Sequence, residues 1–500
     1  MFVLFILSIV FISAHANNQF YNTDQPSNVA CEAALKVGPT LNMSVPYYFP
    51  AQWNENMTGA TYAANQRCKW TISIPTQTFA LFTMMADIGG DSTLVVTDCN
   101  GKSETIMTSE QQPYIFVGVQ FTIDLSVGAI ANGTKLGFKV QWNNLPTPNP
   151  AFYNVSKTSE ALVFDEMLSE NSVVLTAETR VSLVAFPSVY PDLTSLLRLT
   201  LVFDGPTIES PYLGTLFQAV RANKPIVSRA TQMTVFTFQE YYVVGSFFIV
   251  QDNFNVAGLA ETKGITCWSQ SSCPVTLNAA NGPVSAMTLN VDDGNEYLKK
   301  LDLSPEATLK VFIGARREGD DSNVIVTYDP AQSKTNIPQK FNGELMTYYL
   351  ENGTALIELA EDQNYTRWND AVGGREGFIT SKYYGYEQTY QDVYEVIGGR
   401  EDTDDFVFRV NVTHVDVSHN STLSIMFAGE MGLTEFRFAS DGQSDNSAFS
   451  FQATNMTVSY FTNGTETKGF YLDFQIEDAI SSAGNKSLFV VALLLSLFCY

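Results

Sequence analysis

The segment "GGDSTLVVTD" (Gly89–Asp98) sets a Gly-Asp turn directly before a β-branched run, and a close copy, "GDDSNVIVTYD" (Gly319–Asp329), stands in the second half of the chain. Glycine and aspartate supply turn chemistry, and the Leu/Val/Ile run that follows reads as a strand. Looser versions are "LRLTLVFDG" (Leu197–Gly205) and "HNSTLSIMFAG" (His419–Gly429). Aligning Thr93, Thr200, Asn323 and Thr422 gives steps of 107, 123 and 99 residues. A second landmark follows in each unit, a closing strand: "LGFKVQW" (Leu136–Trp142), "GSFFIVQD" (Gly245–Asp252), "AFSFQAT" (Ala448–Thr454) and, less well formed, "ALIELAED" (Ala355–Asp362). Short alternating runs such as "TVFTFQEYYVV" and "DFVFRVNVTHVDV" recur throughout, punctuated by Gly, Asn, Asp and Pro. Only "NEYLKKLDLS" (Asn295–Ser304) reads as a helix of two or three turns. The pattern is that of an all-β chain of tandem antiparallel β-sandwich or jelly-roll units.

Four units are expected, at 31–143, 152–256, 265–366 and 377–478. Their joints are "NNLPTPNP" (Asn143–Pro150), stiffened by proline, "LAETKGI" (Leu259–Ile265) and "NDAVGGRE" (Asn369–Glu376).

Both ends point to the secretory route. Residues 1–16 read as a signal peptide: Phe2–Ile12 is apolar apart from Ser8, and Ala14-His15-Ala16 fits a small-x-small cleavage site. Leu488–Tyr500 is an uncharged apolar run, shorter than the roughly 20 residues that cross a bilayer. Small residues Ser481-Ser482-Ala483-Gly484 and a polar spacer precede it, which is the order of a glycolipid-anchor signal over 481–500 with attachment at Ser481. A short membrane-anchored tail is the alternative. Asn-x-Ser/Thr sequons stand at Asn42, Asn56, Asn132, Asn154, Asn352, Asn364, Asn411, Asn420, Asn455 and Asn463, with an eleventh at Asn485 inside the tail signal. In "FVFRVNVTHV", Phe408, Val410 and Val412 alternate inward, so Asn411 and Thr413 are expected to face solvent. A net charge of −24 opposes nucleic-acid phosphate and anionic lipid surfaces. Cys267 and Cys273 enclose the short loop "CWSQSSC", which a bridge stabilises by roughly 2–3 kcal/mol.

The first unit carries Cys31, "VPYYFP" (Val45–Pro50), "RCKWTISIP" (Arg67–Pro75), "DSTLVVTDCNG" (Asp91–Gly101) and "GFKVQW". Over residues 31–143 it resembles the CUB fold, in particular the CUB-like domain of nematode secreted proteins. The last unit echoes it in "GFITSKYYGY" (Gly377–Tyr386) and "FRFASDGQSDNSAFSFQA" (Phe436–Ala453), without cysteines. The resemblance implies a two-sheet jelly-roll sandwich, a Cys31–Cys68 disulfide, an extracellular location and binding rather than catalysis, in an innate immune or stress response. Cys99 is then the odd thiol. Many CUB domains bind calcium; Asp91 and Asp98 match part of that pattern, but no Glu precedes them in "FALFTMMADIGG". Asp320, Asp321 and Asp441 are further isolated turn carboxylates. Calcium takes 6–8 oxygen ligands, and no such set assembles, so no metal or other cofactor is expected.

Catalytic chemistry has few carriers. His414 and His419 are the histidines left after the signal peptide, and no Gly-x-Ser-x-Gly elbow, His-Glu-x-x-His or phosphate loop occurs. The expectation is a non-enzymatic binding or adhesion glycoprotein whose partner is an extracellular protein or glycan, held to the membrane by a lipid anchor. A secreted β-fold hydrolase acting on glycans is the alternative, since 52 acidic residues leave many carboxylate pairs open.

Overall fold

The computed structural model describes residues 29–479 except 41–42, 44, 110–112, 131–132, 166–169, 239–246, 268–270, 291–293, 332–334, 400–404, 431 and 440–446. The expected signal peptide over residues 1–16, the 481–500 segment with Ser481, and the sequons Asn42 and Asn132 lie outside the described residues.

Two units divide the chain, Met1–Leu145 and Pro146–Tyr500. The first is one sandwich. One sheet orders Leu35–Val37, Arg67–Ser73, Gln120–Ser126, Thr93–Thr97 and Ser103–Ile106; the other orders Tyr47–Phe49, Lys135–Asn144, Thr78–Asp87 and Tyr114–Phe116. Strict alternation along "RCKWTIS" turns Cys68, Trp70 and Ile72 into the core. There Trp70 meets Phe49 and Phe138 edge-on, with ring centres 4.8 and 5.1 Å apart.

The second unit contains this topology three more times. The second sandwich sets Pro150–Val155, Ser172–Ala177, Gln232–Thr237, Thr200–Phe203 and Tyr212–Thr215 against Leu162–Asp165, Phe247–Asp252, Val181–Ala185 and Ile226–Val227. The third sets Glu261–Ile265, Val284–Leu289, Leu345–Leu350, Leu309–Ile313 and Val324–Tyr328 against Cys273–Asn278, Thr354–Ala360, Asn295–Leu303 and Gln339–Asn342. The fourth sets Val393–Gly398, Asn455–Phe461, Thr422–Gly429 and Gly432–Phe438 against Glu376–Thr380, Phe470–Asp478, Phe406–Val415 and Ser447–Ala453. In the first three sandwiches the opening strand pairs parallel to its neighbour. In the fourth that strand is reduced to a single parallel bridge between Asp370 and Gly398.

Four sequence readings change. "NEYLKKLDLS" is the strand Asn295–Leu303, not a helix; a bulge between Leu298 and Lys300 interrupts its alternation and mimics a helical spacing. "GDDSNVIVTYD" is one strand too late to match "GGDSTLVVTD": the equivalent strand is Leu309–Ile313. Strand starts at Thr93, Thr200, Leu309 and Thr422 are then 107, 109 and 113 residues apart. "AFSFQAT" is an edge strand, and the closing strand of the fourth sandwich is Phe470–Asp478. "LAETKGI" is no linker, because Glu261–Ile265 is the opening strand of the third sandwich. A short helix, Leu216–Ala222, was legible but unread: Thr215 and Gln218 form a capping box, and Asn223 ends the helix in the left-handed conformation.

The second and third sandwiches meet through an apolar seam that includes Val184, Phe186, Ile249, Met287 and Leu345. Gly264 lies in this seam, where a Cβ would stand 2.5 Å from the Ala185 carbonyl oxygen. The third and fourth are joined differently. The edge strand Gln339–Asn342 faces the edge strand Glu376–Thr380, and side-chain amides take the place of backbone pairing. The Gln339 amide donates to the Phe378 carbonyl at 2.8 Å and accepts from the Phe378 N–H at 3.2 Å; Asn342 donates to the Thr380 carbonyl at 2.7 Å. Alongside, Trp368 donates to Glu395 at 3.1 Å, Lys340 pairs with the same buried carboxylate, and Arg375 lies over the Trp368 ring. Burial lowers Arg375 to about 10.

Gln339→Ala strips both partners from a buried peptide group, at about 1–3 kcal/mol for each orphaned atom. Thermal melts should show the third and fourth sandwiches destabilised by a few kcal/mol, with the first unchanged.

Candidate functional site: a cleft and an aromatic face on the fourth sandwich

Strand alternation gives each sheet of the fourth sandwich an inner and an outer face. In Phe470–Asp478 the inner residues Phe470, Leu472, Phe474 and Ile476 are buried, which leaves Tyr471, Asp473, Gln475 and Glu477 outward. In Phe406–Val415 the same rule leaves Arg409, Asn411 and Thr413 outward. This outer face meets the edge strand Val324–Tyr328 of the third sandwich across a cleft of about 970 Å3. Tyr471 pins the two sides: its ring stacks on Phe378 at 5.5 Å, and its hydroxyl donates to the Ile325 carbonyl at 3.1 Å. Burial pushes the Tyr471 hydroxyl and the neighbouring Asp473 carboxyl up. At the rim Arg409 donates two hydrogen bonds to Glu477, at 2.8 and 3.0 Å. Glu376 accepts from Thr335 and Gln475 at 3.3 and 3.4 Å.

The other sheet presents an aromatic face. Tyr394 and Phe461 point outward from paired strands, and Tyr390 precedes them in a loop tied down by Thr462, which bonds Asp392 and Thr389. The three are 65, 45 and 81 % exposed in that order. Between the strands the face carries small polar residues, Thr422, Ser424, Thr457 and Ser459. The sequons Asn420 and Asn463 border the same end, joined by a 2.6 Å hydrogen bond from the Asn463 amide to the Asn420 carbonyl.

The sequence-derived site residues fall as follows. Cys31 bonds Cys68, and Cys267 bonds Cys273, with Cα separations of 5.6 and 5.5 Å. Cys99 is a free thiol, half-buried and held protonated by that burial and by Asp98. Asn56, Asn154, Asn352, Asn364, Asn420 and Asn463 are exposed, whereas Asn411 and Asn455 are half-buried. The turn carboxylates have backbone partners: Asp91 accepts from Ala129, Asp98 from Asn100 and Lys102, and Asp320 from Ser322. Asp321 pairs with Lys310 at 2.6 Å, and Asp441 is outside the described residues. Among the described residues no group of three or more His, Cys, Asp or Glu could hold a metal ion. His414 sets its ring against Tyr384, and His419 lies in the single turn Ser418–Asn420.

One ionisable cluster escaped the sequence reading because its strand was taken for a helix. Glu296 is buried inside the third sandwich, where it accepts from Thr288 at 2.9 Å and from the Tyr348 hydroxyl. Burial pushes it up to about 7, against hydrogen bonds from Tyr348, Thr288 and Asn290 that favour the charge.

Residues 27–146 match the CUB-like domain family. Residues 154–238 and 254–362 match two families described only as domains of unknown function, DUF7592 and DUF7591. No curated protein matches the chain in sequence. Among solved structures, the CUB1-EGF-CUB2 domain of human MASP-1/3 is 12 % identical over 41 % of this chain and 100 % of that one, with a TM-score of 0.17. The same segment of rat MASP-1 is 10 % identical over 43 and 100 %, with a TM-score of 0.15. Likeness at this level adds nothing to the fold, which rests on the strands. Among the described residues no helix is long and apolar enough to cross a membrane.

Because Glu296 is more basic folded than unfolded, its protonated form contributes stability that is full below about pH 4.5. That contribution falls by about 1.4 kcal/mol per pH unit up to about pH 7 and is then flat. Glu296→Gln should remove this slope and melt higher than the wild type at pH 8, as read by thermal unfolding across that range.

Proposed function

We propose that this chain is a non-catalytic extracellular binding glycoprotein whose tandem CUB-type sandwiches present a ligand-binding face. The observation that carries the reading is the exposed aromatic pair Tyr394 and Phe461 on one sheet of the fourth sandwich, with exposed Tyr390 in the loop before it. Large aromatic side chains left in water on a sheet face are what protein and glycan recognition uses: they bury much area at low entropic cost. The CUB-like match over 27–146 supports an extracellular binding module. A part in innate immune or stress response belongs to the same reading and rests on the resemblance of the first unit. Attachment to the membrane through a glycolipid at Ser481 rests on the small, polar and apolar order of residues 481–500.

The experiment is a screen of the purified glycoprotein against arrays of extracellular glycans and proteins. Tyr394→Ala and Phe461→Ala should each weaken the selected partner's binding on the order of ten-fold or more, with melting unchanged. Retained affinity in the double variant, or hydrolysis of an arrayed glycan, overturns the proposal. For the anchor, phosphatidylinositol-specific phospholipase should release the protein from cells; recovery of a cell-bound chain that still ends in Cys499-Tyr500 refutes Ser481.

A further inference from the structure

The cleft between the third and fourth sandwiches has a sequon in its wall. Asn411-Val412-Thr413 lies in the middle of Phe406–Val415, paired on one side to Asp473 and on the other to Ala448. Val410 and Val412 point into the core, so the Asn411 side chain leaves the sheet on the cleft side, half-buried. No other described sequon asparagine lines this cleft.

We propose that an N-linked glycan on Asn411 fills this cleft, its first sugars held between the two sandwiches. Three observations carry it. The space is adequate: about 970 Å3 lies near the top of the roughly 300–1,000 Å3 that encloses a drug-sized ligand. The wall is suited to sugar hydroxyls, which must find partners when they leave water. Arg409, Ser450, Asp473 and Gln475 surround Asn411 with donors and acceptors. The opposite wall also needs covering. Val324–Tyr328 is an edge strand, paired among the described residues only to Leu309–Ile313, and reads "VIVTY". An uncovered β-branched edge is a template for pairing with another chain, and Tyr471 caps only the Ile325 carbonyl. A glycan seated in the cleft denies that edge to a further strand.

The glycan is transferred to the sequon before the sandwich folds, so the half-burial of Asn411 in the finished cleft does not bar attachment. It bars later access. The full chain, expressed in animal cells and purified, is therefore digested with peptide-N-glycosidase with and without prior unfolding, and each site is read by glycopeptide mass spectrometry. Asn411 should be occupied and should carry unprocessed oligomannose. Its release from the native protein should be about ten-fold or more slower than release from exposed Asn352 and Asn364, because it waits on local opening. After unfolding the rates should converge. An unoccupied Asn411, or release from the native chain as fast as from Asn352, overturns the proposal. As a second readout, Asn411→Gln should raise self-association of the purified protein, measured by light scattering, and Asn352→Gln should not; equal behaviour of the two variants counts against the glycan as a cover for the edge.

Discussion

Two side-chain amides set the geometry on which the second half of the molecule depends. Gln339 and Asn342 stand on the last strand of one sheet and satisfy backbone groups of Phe378 and Thr380 on the first strand of another. Two sheets from different sandwiches are thus joined edge to edge without becoming one sheet. A backbone ladder here would flatten the joint and fix both strands in one plane. Amide bridges satisfy the same buried groups while leaving the second sheet free to turn its outer face toward Val324–Tyr328. The cleft, its tyrosine pin and Asn411 all lie on that outer face.

The packing supports the joint from both sides. Phe378 belongs by strand to the fourth sandwich and by burial to the core of the third, whereas Tyr297 and Ala360 of the third pack into the core of the fourth. The seam between the second and third sandwiches is of another kind, an apolar contact that depends on a missing side chain at Gly264. One repeated topology is therefore coupled by two different physical means.

Much of this was legible in the residues. Alternation in "RCKWTIS" and "FVFRVNV" assigned inner and outer faces, and the β-rich punctuation fixed the all-β class. The repeat period was visible but blurred, because the third copy of the turn signal sits one strand late. What failed had local causes. A bulge inside Asn295–Leu303 broke the two-residue period, so a strand looked helical and its buried acid went unnoticed. The bridging amides carried no signal at all, since "PQKFNG" reads as any polar loop until its neighbour strand, 37 residues on, is placed beside it. The aromatic face was hidden for a related reason: Tyr394 and Phe461 are far apart in sequence, and only strand pairing makes them neighbours.

The single bridge that replaces the parallel opening strand of the fourth sandwich bears on where the chain can be cut. In the other sandwiches the incoming segment becomes a strand at the sheet edge. In the fourth, the segment between Ala360 and Glu376 serves the interior instead: Trp368 is 1 % exposed and packs on Phe474, while Arg375 covers both rings. A segment whose end, "NDAVGGRE", reads as a joint in the sequence is here part of the hydrophobic interior. A chain break between residues 369 and 377 would sever the fourth sandwich from its own tryptophan, which packs on Phe474, so the third and fourth sandwiches are expected to fold only when expressed together.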